Sequence, residues 1–514
     1  MLTTTEIWEA SGLAASRQNP GVLWTHNDSG FQGSVFALST NGTLLARCAV
    51  PDVFGGDFED IAIGPGPSPG LQYIYLGDIG DNTSTRDEIR VFRIPEPSIY
   101  FYQSNSTPVI PAVGFREIVF TYPDGPHNAE ALMVDPKTGD LFIAIKETNS
   151  CGIYQATRAQ LESGDTVQLA HVEQLDVRST SAGDISADGS LIALRRGSRA
   201  ELWIRSADQS VVDAFGETSI RIPVVGSPTE PNGEALAFDW TGAGYYTLSE
   251  GLRQPLYFFA RTDSGKPTPP QILIAPGEAW RYLDDGSDQG IAWRTPEFDD
   301  SFWPEGAGQI GYGQSDERTV IFYGEDAFKI PTTYFRKQIE VGSIAAISNL
   351  ALRVCFNDGI AIYINGTEIW RHNLGPEAAF DAVADADRSV WQNIWWSIPL
   401  NPSVLHDGVN TIAVELHRFD LGGPDLSFDL QLLEGTVDLP THFTTAPQLS
   451  NGVCRIDLAG PVGSLAQIEG SSDLTEWLPS GTVALDLAGK GTFQEPANSG
   501  PRFYRIAVDP AAPN

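Results

Sequence analysis

NAEALMVDPKTGDLFIAIKETNSCGIYQATR, residues 128–158, holds the phrase that decides the fold. A run of small and aliphatic residues opens on the acid Glu130, turns at DPKTGD, continues as the strand LFIAIKE and ends in a third strand, GIYQA. Short apolar runs bounded by Gly, Pro, Asn or Asp predict strands and tight turns rather than helices. The same order of phrases recurs across residues 1–275. The opening acid appears as Glu9 (EASGLAAS), Glu59-Asp60 (FEDIAIGP), Glu130 (NAEALMVD), Asp184 (GDISADG) and Glu234 (NGEALAFD). Each is followed by a strand that ends in polar or charged residues. These ends are His26-Asn27-Asp28, Asp78, Lys146-Glu147, Arg195-Arg196 and Glu250. Third strands follow as VFALS, VFRIPEP, GIYQA, ELWIRSA and LYFFAR, and a less regular fourth closes each unit. Four strands per unit of about 50 residues, repeated around a ring, is the pattern of a β-propeller. The repeat predicts five blades. The extra residues around SIYFYQSNSTPVIPAVG leave room for a sixth.

The pattern changes near Gly277. The phrases FDDSFW (Phe298 to Trp303), NDGIAIYING (Asn357 to Gly366) and NTIAVELH (Asn410 to His417) belong to a stretch of eight or so strands. They resemble the galactose-binding-like jelly-roll domains of secreted bacterial proteins, over residues 276–434. Residues 435–514, with SDLTEW (Ser472 to Trp477) and FYR (Phe503 to Arg505), are similar to the small Ig-like or fibronectin-like β-sandwiches that end many such proteins. TVDLPTHFTTAP reads as the linker. The whole chain is therefore expected to be all-β: a propeller, a jelly-roll β-sandwich and a small C-terminal sandwich.

The chain has 514 residues, with Asp+Glu 66 against Lys+Arg 32 and a formal net charge of −34. Acids outnumbering bases two to one exclude a general nucleic-acid binder and disfavour anionic membrane surfaces. No stretch reaches the ~18–20 apolar residues of a membrane helix. No secretion signal is visible at MLTTTEIWEASGLAAS, so an extracellular or periplasmic location implies a signal peptide that this sequence lacks. The four cysteines (Cys48, Cys151, Cys355, Cys454) have no zinc-type spacing and read as buried free thiols.

The innermost strand of each blade borders a propeller's central channel, so Glu9, Glu59, Asp60, Glu130, Asp184 and Glu234 are expected to converge there as metal ligands. Several carboxylates in one low-dielectric channel need a counter-ion. Ca²⁺ takes six to eight oxygens in irregular geometry and suits them better than zinc. The competing reading is structural: an acid at a strand start caps backbone N–H groups of the neighbouring blade or pairs with an arginine. His26 with Asp28, and His127, lie in repeat-phrase positions where an imidazole serves as general acid or base. Arg195 and Arg196 stand where other blades carry acids and suit an anionic oxygen, or an ion pair with the ring. GDIGDNTSTRD (Gly77 to Asp87) resembles an oxygen-rich calcium loop without EF-hand spacing. Motifs of serine hydrolases, zincins, kinases and dehydrogenases are absent.

The acid-Ala-Leu phrases, the axial carboxylates and the double arginine resemble the calcium-dependent propeller phosphohydrolases: apyrases, propeller phytases and, more loosely, phosphotriesterase propellers. That resemblance implies a secreted Ca²⁺-dependent hydrolase of phosphoric esters acting in the channel. In it, His26, Asp28, His127, Arg195 and Arg196 would be catalytic, and Asp78, Glu147 and Glu250 would surround a small ester substrate. The alternative is a non-catalytic secreted propeller that binds carbohydrate or protein, with residues 276–434 as an accessory glycan binder. Trp370, Trp391 and Trp395 are the aromatics it offers, although the core is a commoner fate for such side chains. A glycosidase, drawing a pair of carboxylates from the ring, is a third option.

Overall fold

A computed structural model describes the chain except residues 29–32, 52, 54, 69, 100–108, 263–270, 314–316, 326–327, 348, 377, 389–393, 435–441, 444–447, 451–452, 460–464, 472–477, 485–489, 497–502 and 508–514. The extra residues at 100–108, Trp391 and the core phrase 472–477 thus lie outside the described residues. The protein is nearly all β-structure. It divides into two compact units, Met1–Pro269 and Pro270–Asn514. Among the described residues no helix is long and apolar enough to cross a membrane. All four cysteines are buried and free.

The first unit holds five sheets among its described residues, and no sixth. They open on the strands Ala10–Ala15, Phe58–Pro65, Ala129–Val134, Ala182–Ile185 and Gly233–Phe238. The second and third strands of each sheet add antiparallel to their predecessors, whereas Val109–Pro111 joins the first sheet and Val167–Gln168 the second in parallel. The fifth sheet shows three strands, not four, among the described residues. The opening strands pack against one another in chain order, and Gly233–Phe238 packs against Ala10–Ala15. Their residues are almost all buried. A strand covered on both faces has no reason to alternate polar with apolar, and small residues such as those of ASGLAA and AGDI let the opening strands come close.

Apolar side chains fill the spaces between sheets. Trp24 and Ile63 meet Ile74 and Phe92 between the first and second. Met133 and Phe142 meet Ile192 and Trp203 between the third and fourth. Leu13 and Phe36 meet Ala235 and Leu248 between the first and fifth. The two short helices, Arg158–Leu161 and Val211–Phe215, each begin with a capping box, which satisfies N–H groups that the first helical turn leaves unpaired.

In the second unit, strand Ile272–Ile274 already pairs with Leu426–Glu434. Two six-stranded sheets enclose one apolar core built on Trp280, Phe335, Phe356, Ile362, Val414 and Phe428. The strands Trp396–Leu400 and Thr367–His372 are each the last strand of their sheet. Trp395 belongs to buried structure, 2% exposed. Two smaller sheets carry the chain from His442 onward, with Cys454, Ile456, Ile468 and Phe493 between them.

Candidate functional site

The repeat acids occupy two different registers. In the second sheet the pairing steps from Phe58 opposite Asp78 to Asp60 opposite Gly77, which leaves Glu59 as an extra residue. The third sheet leaves out Glu130 and the fifth leaves out Glu234 in the same way. A bulge of this kind re-aims one side chain without disturbing the strand beyond it. The fourth sheet has no such step: Ala182, Gly183 and Asp184 pair in sequence with Arg195, Leu194 and Ala193. Asp184 therefore matches Asp60 rather than Glu59.

The bulged acids join a group. Asp28, Asp57 and Glu59 each place an oxygen within 4.8 Å of the others. Glu9, Glu130 and Glu250 act electrostatically on Asp28, and Glu130 and Glu234 act on Glu59. Burial first, then these like charges, pushes Glu59 up to about 10, Glu234 up to about 8 and Asp28 up to about 7. Burial also raises Asp57, against the pull of Arg86. Asp28 Oδ1 is buried without a hydrogen-bond partner among the described residues. Asn27 anchors this corner by accepting the backbone N–H groups of Trp8 and Glu9 on Oδ1, at 2.9 and 3.2 Å.

Cations near the group are largely committed elsewhere. Arg86 is held by both oxygens of Asp78 at 2.8 Å, and Arg195 by Glu230 at 2.5 Å. Lys146 donates to Glu130 at 2.8 Å and also acts on Glu234 and Glu59. Any side chain at Gly80 would press on Glu59 Oε1 and Asp57 Oδ2, so this glycine keeps the space between them open. A pocket of about 580 Å³ opens beside Asp57, with Asp78, Arg86, Phe58, Phe92 and Phe115 in its walls.

The donor set fits a hard cation. Oxygens around Ca²⁺ lie about 2.3–2.6 Å from the ion. Three oxygens within 4.8 Å of one another therefore fall on one coordination sphere. Asp28, Asp57 and Glu59 are the residues able to hold such an ion directly, with Glu9, Glu130, Glu234 and Glu250 behind them. The set contains no sulfur or imidazole, which disfavours zinc.

The other expected residues sit elsewhere. Asp60 is fully buried and accepts the backbone N–H groups of Ile61 and Leu132 at 2.9 Å and Gly183 at 3.2 Å. Asp184 accepts those of Ile185 at 2.8 Å and Phe238 at 2.7 Å. Both tie opening strands together, so as metal ligands they are corrected: their oxygens are spent on the backbone. His26 is not on a loop. It lies inside strand Val22–Asn27, fully buried, and burial pushes it down to about 4, so it is neutral. His127 sits between Asp124 Oδ1 at 3.0 Å and the Tyr154 hydroxyl at 3.1 Å. Glu147 accepts Ser150 Oγ at 2.5 Å, and Arg196 donates to Glu201 at 3.3 Å. The acids of the Gly77–Asp87 loop serve the loop itself: Asp81 accepts the Arg86 N–H at 2.6 Å and Thr83 Oγ1 at 3.2 Å.

Asp57 was missed by the sequence reading. The available signal was GGDFED, where Asp57 and Glu59 are two residues apart and share one face of an extended chain.

No protein-family model and no curated protein matches the sequence. Among solved structures, the chain is similar to a glycosyl hydrolase family 2 member from Bacteroides cellulosilyticus, at 14% identity over 47% of this chain and 35% of that one, with a TM-score of 0.23. It is similar to Bacteroides uniformis beta-glucuronidase 2 at 17% identity, over 46% and 27% of the two chains, with a TM-score of 0.23. It is similar to Lactobacillus rhamnosus beta-glucuronidase at 11% identity, over 48% and 42%, with a TM-score of 0.22. The chain thus spans less than half the length of these structures, and scores this low transfer no activity to it. None of the three is a calcium-dependent phosphohydrolase, so the expected resemblance to that class is corrected. The phosphoric-ester hydrolase reading falls with it, because Arg195 and Arg196, the groups meant to hold a phosphoryl oxygen, are engaged by Glu230 and Glu201.

Proposed function

We propose that the first unit is a five-bladed β-propeller that holds a Ca²⁺-type cation on Asp28, Asp57 and Glu59 at one mouth of its channel. We further propose that it works there as a cation-dependent hydrolase of a hydroxyl-rich ligand, a glycan. One observation carries the reading: the gathering of Glu9, Asp28, Asp57, Glu59, Glu130, Glu234 and Glu250, with a buried oxygen of Asp28 that has no partner among the described residues. When bound, the cation supplies charge neutralisation and open coordination positions suited to neighbouring hydroxyls. Glu234 and Glu250 share a hydrogen bond. Burial and the like charges of Glu250 and Glu130 push Glu234 up to about 8, the direction that suits a carboxyl acting as general acid.

The test is metal analysis of the purified full chain, followed by a panel of aryl glycosides assayed with EDTA and with Ca²⁺ restored. Bound cation, EDTA-sensitive turnover and its loss in Glu234→Gln are expected. A chain that binds no divalent cation sinks the reading. A chain that binds the cation and retains glycans without turnover reduces it to a binding protein.

A further inference from the structure

The pocket of about 580 Å³ in the first unit has two kinds of wall. One side is formed by Pro51, Val53, Gly55 and Gly56, which lie between the first and second sheets in the chain. The other comes from Ile89–Pro95 and Arg116–Thr121, paired strands of the second sheet, and from Phe115 just before the latter. Phe58 and Phe92 stand with ring centres 5.9 Å apart, and half-buried Phe115 packs on the same apolar cluster. Gly56 has φ +91°, and any side chain there would press on Phe58 and Asp78, so bare backbone forms this part of the wall.

Most charged groups of the wall are matched with one another among the described residues. Both oxygens of Asp78 accept from Arg86 at 2.8 Å. Arg90 Nε donates to Glu117 Oε1 at 2.7 Å. Asp78 Oδ1 also accepts the backbone N–H of Asp57 at 2.9 Å, which fixes the place where the acid group meets the pocket. Asp57 belongs both to this wall and to the trio whose oxygens lie within 4.8 Å of one another.

A cavity of this size with aromatic walls and a few fixed polar groups suits a small organic ligand. Charges that satisfy each other leave the apolar rings as the free contact surface. A hydroxyl-rich sugar ring meets polar partners already engaged, whereas a flat ring packs on Phe58, Phe92 and Phe115 offset or edge-on. Asp57 and the carboxylates behind it disfavour an anion. We propose that the pocket binds a neutral aromatic ring, carried as the aglycone of a glycoside whose sugar lies at the cation site. This inference rests on the function proposed above and narrows its substrate class to aryl glycosides.

The experiment is fluorescence titration of the full chain with 2-naphthol, with 2-naphthoate and with the 2-naphthyl β-glycosides of glucose, galactose and xylose, each in EDTA and in Ca²⁺. In EDTA, 2-naphthol is expected to bind about tenfold tighter than 2-naphthoate, which keeps the rings and adds a negative charge. Ca²⁺ is expected to tighten at least one glycoside and to leave 2-naphthol unchanged. Phe115→Ala is expected to weaken 2-naphthol about tenfold through lost apolar contact. Phe92→Leu, which keeps the core filled, is a second variant expected to weaken it. No binding of 2-naphthol in EDTA, equal binding of 2-naphthoate, or full binding by both variants overturns the pocket. Binding of 2-naphthol with no glycoside tightened by Ca²⁺, in a chain shown by metal analysis to hold the ion, overturns the aglycone assignment. A chain that holds no ion overturns the function proposed above, while 2-naphthol in EDTA still decides the pocket.

Discussion

The third and fourth sheets of the first unit carry the same repeat phrase and use it in opposite ways. In the third, a bulge turns Glu130 toward the other acids, and Lys146 follows it at 2.8 Å. In the fourth, the strand runs without a bulge, Asp184 caps Phe238, and Arg195 turns inward onto Glu230. Arg195 and Glu230 have side chains 0% exposed, and Arg195 also donates to the carbonyl of Ala235 at 2.8 Å. One extra residue thus separates an acid that meets other acids from an acid that holds backbone. A sheet with unfavourable charge gathered at one end is offset by neighbours whose charges are paired, and this is the usual division between a site and its support.

The comparison can be broken most severely at the buried pair. Arg195→Leu is expected to cost about 3–5 kcal/mol, because it strands the Glu230 carboxylate in the interior. Urea denaturation measures it, and a loss below 1 kcal/mol would place the pair in water. Asp60→Ala comes next. It removes the acceptor for three buried N–H groups, at roughly 1–3 kcal/mol for each one left unsatisfied, and its melting temperature is expected to fall without any change in cation binding.

Addition of Ca²⁺ at about 100 times its Kd is expected to stabilise the wild type by about 2.7 kcal/mol. Glu59→Gln and Asp28→Asn should abolish that response, whereas Asp184→Asn should keep it. Thermal melting with and without EDTA distinguishes these outcomes. The pH dependence sharpens the same contrast. Folded values of about 7, 8 and 10 for Asp28, Glu234 and Glu59 lie above the usual carboxylate values near 4. The folded state then binds protons that the unfolded state releases, so their stabilising effect is complete below about pH 4 and is lost as pH rises from there through the folded values. Without divalent cation, the melting temperature is expected to fall between pH 6 and 9. With Ca²⁺ the slope should flatten. The smallest effect belongs to Glu147→Gln, expected within about 0.5 kcal/mol of wild type and neutral for cation binding, since Glu147 partners Ser150 and Gln174.

The repeat acids that gather and those that hold backbone differ by register. Glu59, Glu130 and Glu234 looked identical to Asp184, and Asp60 looked like a second copy of Glu59. Strands have a period of two, so a single bulge moves a side chain to the other face. No residue in EALMVD or GDISAD announces which of the two will carry a bulge. His26 looked like a mouth residue because HND ends a strand phrase, yet burial of the whole strand removed it from solvent. Arg195 looked like a phosphoryl anchor because its partner Glu230 lies 35 residues away, outside any local pattern.

The sequence by itself determined the all-β character and the fivefold repeat of the first unit. Alternation, turn residues and repeat length are local properties of a chain. Only the tertiary structure decided which acids meet, that Asp57 joins them, and that Arg388 lies buried beside the rings of Phe356 and Trp396. Those facts depend on bulges, on burial and on partners distant in sequence, and charge becomes decisive only where packing has excluded water.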